Sequence, residues 1–191
     1  MELKDAIEGR RSHRRYRDQP VDDGLIEQLI RTAVWAPSAM NVQPWFFRVI
    51  NRPDAMVRVR ALMHKAGVLL TPSLEARFQS HPEVIKETHT FMDTLGGAPA
   101  CIFVFLNKEY EGRAYTSMIQ STAACMQNFC LLAYENGLST CWITGTDLVE
   151  DELREEFGKG LGQFVAVIAL GYSDQKPVGP VRRPNRYDFV E

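Results

Sequence analysis

Residues 100–106, Ala-Cys-Ile-Phe-Val-Phe-Leu, form an unbroken apolar run between Gly96-Gly97 and Asn107-Lys108. The length of the run and its Ile, Phe and Val content favour a strand, and a strand apolar at every position must be covered on both faces. Such a strand belongs at the centre of a sheet with helices on either side. Ser139–Ile143 and Phe164–Leu170 read as two more buried strands, and residues 46–50 as a fourth.

The segments between these strands carry helical spacing. Leu3, Ala6 and Ile7 suit a short helix. Leu25, Ile26, Leu29, Ile30, Ala33 and Val34 make one apolar face from Asp22 onward, and Pro37 predicts a stop at Ala36 because proline disfavours helical geometry in the residue before it. Pro53 and Pro82 each stand where a first helical turn accepts proline. The helix opened by Pro82 carries Val84, Ile85, Phe91, Met92 and Leu95 and ends at Gly96-Gly97. Residues 116–135 read as the longest helix, capped at Asn136-Gly137 by a left-handed residue. Asp147 and Glu150 have the spacing of a capping box ahead of Leu153 and Phe157. The fold class is therefore α+β, one domain over residues 1–171, and residues 172–191 form an extended arm with no apolar face of its own.

Composition narrows the function. The chain has 191 residues, a 45% hydrophobic content and a formal net charge of −2, which gives no overall pull toward nucleic acid or an anionic membrane. No apolar run approaches the roughly 20 residues that span a bilayer, and the default location is the cytosol. Cys101, Cys125, Cys130 and Cys141 lie in apolar stretches without a C-x-x-C pair, and the four histidines make no ligand pattern with them. Buried, reduced thiols and no structural metal are the expectation.

Two segments are chemically unusual. Arg10-Arg11-Ser12-His13-Arg14-Arg15-Tyr16 concentrates guanidinium groups, which bind phosphate oxygens bidentately, around one hydroxyl donor. By itself the cluster also reads as a solvated basic loop or a polyanion patch. Ala36-Pro37-Ser38-Ala39-Met40-Asn41-Val42-Gln43-Pro44-Trp45 places Ser, Asn and Gln between two prolines, a rigid turn rich in donors and acceptors. Gly158, Gly160 and Gly162 do not match a dinucleotide fingerprint, and no nucleophile or metal-protease motif is present.

In order and spacing, RRSHRRY, the amphipathic helix and APSAMNVQPW resemble the N-terminal signature of the nitroreductase family. Gly137–Gly145 resembles that family's flavin-facing segment, and Val167–Tyr172 with Arg182-Arg183-Pro184 is similar to its terminal strand and basic tail. The resemblance implies a central mixed β-sheet flanked by helices, with the C-terminal arm exchanged in a homodimer that holds FMN at the subunit interface. It implies that Arg10, Arg11, Ser12 and Arg14 grip the FMN phosphate and ribityl chain, with Arg14 reaching toward the pyrimidine side of the ring. Pro37, Ser38, Ala39, Asn41 and Gln43 would reach the flavin of the other subunit. Trp142, Ile143, Thr144 and Gly145 would line one flavin face, the Thr144 and Gly145 N–H groups serving N5 and O4, and Arg182 or Arg183 would return to the phosphate. Many relatives carry an acidic residue where Thr144 stands, and Gly-Leu-Gly where this chain has Gly137-Leu138-Ser139.

The activity so implied is two-electron, ping-pong reduction of nitroaromatics, quinones or related electrophiles, with NADH or NADPH as a diffusing reductant. No side chain is assigned as catalytic, because the flavin carries the chemistry. Dehalogenation, enone reduction, flavin fragmentation and a non-catalytic flavin carrier or sensor stay open on the same signature.

Overall fold

The computed structural model describes residues 1–179 and 181–190. Its elements run α1 (Leu3–Gly9), α2 (Asp23–Ala33), β1 (Trp45–Ile50), α3 (Pro53–Arg77), α4 (Pro82–Thr94), β2 (Ala100–Leu106), α5 (Gly112–Glu135), β3 (Ser139–Ile143), α6 (Glu150–Phe157) and β4 (Phe164–Gly171). The strands form one sheet in the order β1-β2-β4-β3.

Every β2 residue is buried, and the alternation of its side chains divides the interior in two. Cys101, Phe103 and Phe105 face a core built with α3, α4 and α6, where Phe103 meets Phe157 edge to face at 5.0 Å. Ala100, Ile102 and Val104 face a second core built with α2 and α5 around Phe129 and Met126. A register shift between Val104 and Phe105 puts Phe164 and Val167 of β4 on the same face. Helices on both sides thus satisfy the all-apolar central strand, as that sequence requires.

Several details depart from the sequence expectations. The three strand pairings are antiparallel, and the mixed character of the sheet rests on one isolated parallel bridge between Ser12 and Thr140. Helix α2 ends at Ala33 rather than Ala36. Asn128 Nδ2 and Cys125 Sγ of α5 both lie 3.3 Å from the Ala33 carbonyl, and the chain closes in a tighter turn with the Ala36 N–H donating to that carbonyl. The longest helix is α3 with 25 residues, against 24 for α5. Helix α5 begins at Gly112, four residues before the expected start, because its first turns are solvent-exposed and show no apolar spacing. The Asp147–Glu150 capping box does not form. Glu150 Oε1 instead accepts from the Phe164 N–H at 3.0 Å, tying α6 to β4.

The cap at Gly137 does adopt the left-handed conformation, with φ of 74°. From Tyr172 onward the described chain has no helix or strand. Pro180 and Glu191 of the arm lie outside the described residues. Among the described residues, no helix is long and apolar enough to cross a membrane.

Candidate functional site

The arginine-rich segment is held in place chiefly by hydrogen bonds of its main chain. Ser12 bridges Thr140 on the outer side of β3, and the His13 N–H donates to the Thr140 carbonyl at 3.0 Å. The Tyr16 N–H donates to Gly96 O and the Arg17 N–H to Tyr172 O, both at 2.8 Å. The residues after β4 complete the lacing: Gln175 Oε1 accepts from the Arg14 N–H at 2.9 Å, and Ser173 Oγ donates to Arg15 O at 2.6 Å. Tyr16 is a buried strut whose hydroxyl donates to His13 O, 2.8 Å away, and burial holds its phenol above the ordinary range. Backbone positions are thereby fixed while the intervening side chains stay available.

Three arginines of the segment, Arg10, Arg14 and Arg15, have unspent side chains among the described residues. Arg10 and Arg14 make no salt bridge and donate no side-chain hydrogen bond among the described residues, although the Arg14 guanidinium lies 6.0 Å from the Phe91 ring. Arg11 is used partly within the chain, donating to Glu8 O and Arg10 O, but its Nε is buried without a partner. An unpaired buried guanidinium nitrogen favours an incoming anion. The positive field reaches the neighbouring groups. His13 is buried, which lowers its pKa, and Arg10 lowers it further. Burial pushes the Cys141 thiol up, opposed by Arg14, Arg10 and the Ser12 hydroxyl.

Strand β3 leads from this segment to Thr144 and Gly145. Trp142 packs against the α2–α5 core and Ile143 is buried in the other, so these side chains anchor the strand from opposite faces. What the end of β3 presents is main chain: neither the Thr144 nor the Gly145 N–H donates a hydrogen bond among the described residues. Gly145 also passes close to α3, and a Cβ there would fall 2.9 Å from Leu70 Cδ1. Thr144 lies four residue steps beyond Thr140, about 13 Å at the usual rise. The ligand that fits has an anionic group at one end and hydrogen-bond acceptors at the other. Beside Arg14, an open cavity of about 610 Å³ lies against α4, lined also by Arg15, Phe91 and Gln175.

The turn at Pro37–Gln43 is not brought to this place. It precedes β1, at the opposite edge of the sheet from β3. Met40, Asn41 and Gln43 have φ of 52°, 56° and 50°, left-handed values that cost roughly 1 kcal/mol or more each for residues other than glycine. The turn is held by the Gln43 N–H to Ser38 Oγ at 3.0 Å and the Ala39 N–H to Ser121 Oγ at 3.1 Å. Trp35 and Met40 beside it are 86% and 91% exposed. Arg182 and Arg183 are exposed and away from the arginine segment's hydrogen bonds, although the arm begins beside it: Gly179 lies against the Arg11 guanidinium.

Sequence reasoning did not find Phe91, Gly96, Gln175 or Leu70. Each meets the site through a contact between distant parts of the chain, and none stands in a motif of its own.

The sequence pattern of the nitroreductase family matches residues 7–172. A protein of Bacillus subtilis (strain 168), provisionally named an NAD(P)H nitroreductase, is 30% identical over 191 residues, covering 99% of this chain and 93% of the relative. The crystal structure of a BluB-like flavoprotein from Clostridium difficile 630 aligns over 100% of both chains with a TM-score of 0.79 and 27% identity. A nitroreductase with bound FMN from Desulfitobacterium hafniense DCB-2 has the same fold, with a TM-score of 0.77 at 20% identity over 100% of both chains.

Proposed function

The chain belongs to the nitroreductase family, and on that premise we propose that it is an FMN-dependent oxidoreductase working as a homodimer. The observation that carries the reading is the pairing of the arginine segment with β3. It joins the unspent guanidinium groups of Arg10 and Arg14 to a strand ending in two undonated N–H groups. Arg10, Arg11, Ser12 and Arg14 hold the phosphate and ribityl chain, where charge-assisted bonds to phosphate are strongest. Thr144 and Gly145 donate their N–H groups to the ring, and Trp142 and Ile143 keep that strand rigid from their two cores. Arg182 or Arg183 completes the phosphate grip. Pro37, Ser38, Ala39, Asn41 and Gln43 contact the flavin of the other subunit. The left-handed turn, the exposed Trp35 and Met40, and its remoteness from this chain's own arginine segment support that assignment.

FMN, when bound, supplies the two-electron chemistry: hydride arrives from NADH or NADPH, and an acceptor such as a nitroaromatic or quinone takes it in a second, ping-pong step. The protein's part is placement and charge. Arg14 provides positive potential beside the ring and stabilises negative charge there. The cavity between Arg14 and α4 gives reductant and acceptor one place to enter by turns. Thr144, exposed and uncharged, leaves the end of β3 less acidic than in relatives with a carboxylate at this position.

The test is anaerobic mixing of the purified, FMN-saturated protein with NADH and, separately, NADPH. Bleaching of the flavin absorbance by one of them, followed by reoxidation with a nitroaromatic or quinone, is the expected result. Flavin that neither reductant bleaches would end the reductase reading. Truncation after Gly171 should convert the dimer to monomer, and a truncated protein that stays dimeric and yellow would end the arm reading.

A further inference from the structure

The open cavity of about 610 Å³ between the arginine segment and α4 has two ends of different character. Glu83, Lys86, Glu87, Thr90, Phe91 and Thr94 line it at spacings of three and four residues, so one face of α4 forms its wall. From Glu83 to Thr94 that wall runs about 16 Å at the helical rise. Phe91 marks one end, where its ring lies 6.0 Å from the Arg14 guanidinium. Lys86 stands five residues earlier, about 7.5 Å farther along the wall.

Positive charge in this cavity has no use within the chain. The Arg15 guanidinium and the Lys86 ammonium make no salt bridge and donate no hydrogen bond among the described residues. Asp174, which follows β4, is taken by Arg17, whose Nε donates to it at 2.8 Å. Glu83 is bonded to His81 at 3.0 Å, which leaves Glu87 as the lining carboxylate without a partner among the described residues. The backbone that presents Arg15 is fixed on both sides. Its own carbonyl accepts from Ser173 Oγ at 2.6 Å, and the Arg14 N–H before it donates to Gln175 Oε1 at 2.9 Å. A cation on a pinned backbone loses less freedom when it takes up an anion.

We infer that Arg15 and Lys86 form a second phosphate site, which holds a phosphate of the diffusing nicotinamide dinucleotide while its nicotinamide lies at the Arg14 end. This rests on the reductase reading above and says what orients the reductant. Arg10, Arg11 and Ser12 are engaged by the FMN phosphate throughout turnover, so a reductant that comes and goes needs a grip of its own. A dinucleotide carries its phosphates beyond a ribose from the nicotinamide, in keeping with a cation set back along the wall from Arg14. Both side chains are exposed, so water and salt screen the contact and keep it weak. Glu87 beside Lys86 tempers it further. A weak grip suits ping-pong exchange, in which the oxidised dinucleotide must leave before the acceptor enters.

Anaerobic stopped-flow mixing of the FMN-loaded protein with reductant reads the apparent Kd of the reductant separately from the limiting rate of bleaching. Arg15→Gln and Lys86→Gln should each raise that Kd by about 3- to 30-fold, the span for an exposed charge-assisted bond. The limiting rate and the FMN affinity should both stay within about twofold of the parent, as loss of ground-state binding requires. The charge-keeping Arg15→Lys and Lys86→Arg should retain most of the parent's affinity. Loss with NADPH alone assigns the site to the 2′-phosphate, and equal loss with NADPH and NADH assigns it to the pyrophosphate; either result supports it. N-benzyl-dihydronicotinamide, which has no phosphate, should bleach parent and variants alike. Equal loss with that compound, a parallel loss of FMN affinity, or unchanged Kd values in both glutamine variants overturns the site alone. A parent whose flavin neither dinucleotide bleaches ends the reductase reading and the site with it.

Discussion

Replacing Gly96 by alanine is the sharpest test of how the arginine segment is held. Gly96 has φ of 63°, and a Cβ on it would lie 2.2 Å from Arg14 O and 2.6 Å from the Arg14 carbonyl carbon. These atoms are backbone, so no side-chain rotation relieves the overlap, and the carbonyl must retreat by about 1 Å to reach ordinary contact. The left-handed conformation costs an L-residue about 1–2 kcal/mol, and overpacking of this kind adds about 1–3 kcal/mol. Gly96→Ala should therefore destabilise the fold by about 2–5 kcal/mol. Gly97→Ala is the internal control. Its φ is 78°, but the nearest contact for a Cβ is Tyr16 O at 3.7 Å, so only the conformational cost applies. Urea unfolding of the three proteins gives the stabilities, and FMN titration gives the affinities. Gly96→Ala should lose both stability and FMN affinity relative to Gly97→Ala, since the residue displaced is Arg14. Equal stabilities for the two variants would refute the contact, and unchanged FMN affinity in a destabilised Gly96→Ala would remove Arg14 from the cofactor site.

Arg10→Ala should weaken FMN binding by about 10- to 150-fold, the equivalent of losing one charge-assisted bond worth about 1.5–3 kcal/mol; equilibrium dialysis reads it, and unchanged affinity takes Arg10 out of the site. Burial, aided by Arg10, lowers the His13 pKa below 6.5, so between the two values the unfolded chain binds the proton and the folded one does not. Stability should then fall as pH drops below 6.5, and His13→Phe should flatten that slope in urea midpoints; a slope that persists assigns it to other groups. All four cysteines are buried, with Cys125 pushed up to about 12 and Cys130 to about 11 by burial. Iodoacetamide at about pH 8 should leave the folded protein unlabelled and label four thiols after denaturation, because the thiolate is the reactive form; rapid labelling of the folded protein would contradict that burial.

The sequence was most informative where local chemistry decided the outcome. The bounds of β2 and β3 follow from short apolar runs closed by turn residues, and Pro53, Pro82 and Gly137 sit where their backbone preferences put them. It was least informative where a distant partner intervened. The early end of α2 depends on Asn128 and Cys125, and Glu150 leaves its capping spacing for the Phe164 N–H. The exposed first turns of α5 offer no periodicity to read. The same division runs through the site. Arg10, Ser12 and Thr144 announce themselves in motifs, whereas Gly96, Phe91 and Gln175 matter only because the folded chain brings them to Arg14. Strand order is likewise a property of long-range pairing and was not written in any single segment.

The lacing of the arginine segment has a consequence for biosynthesis. Its bonds join segments far apart in the chain, with Arg14 and Gln175 separated by 161 positions. At about 5–20 residues per second, the segment waits roughly 8 to 32 s for its partners to be made. Contacts of such separation form late, because the closure entropy must be met before they contribute. The cradle therefore closes only after Gln175 has been made, and a chain released before Tyr172 should hold all four strands yet be unable to retain flavin.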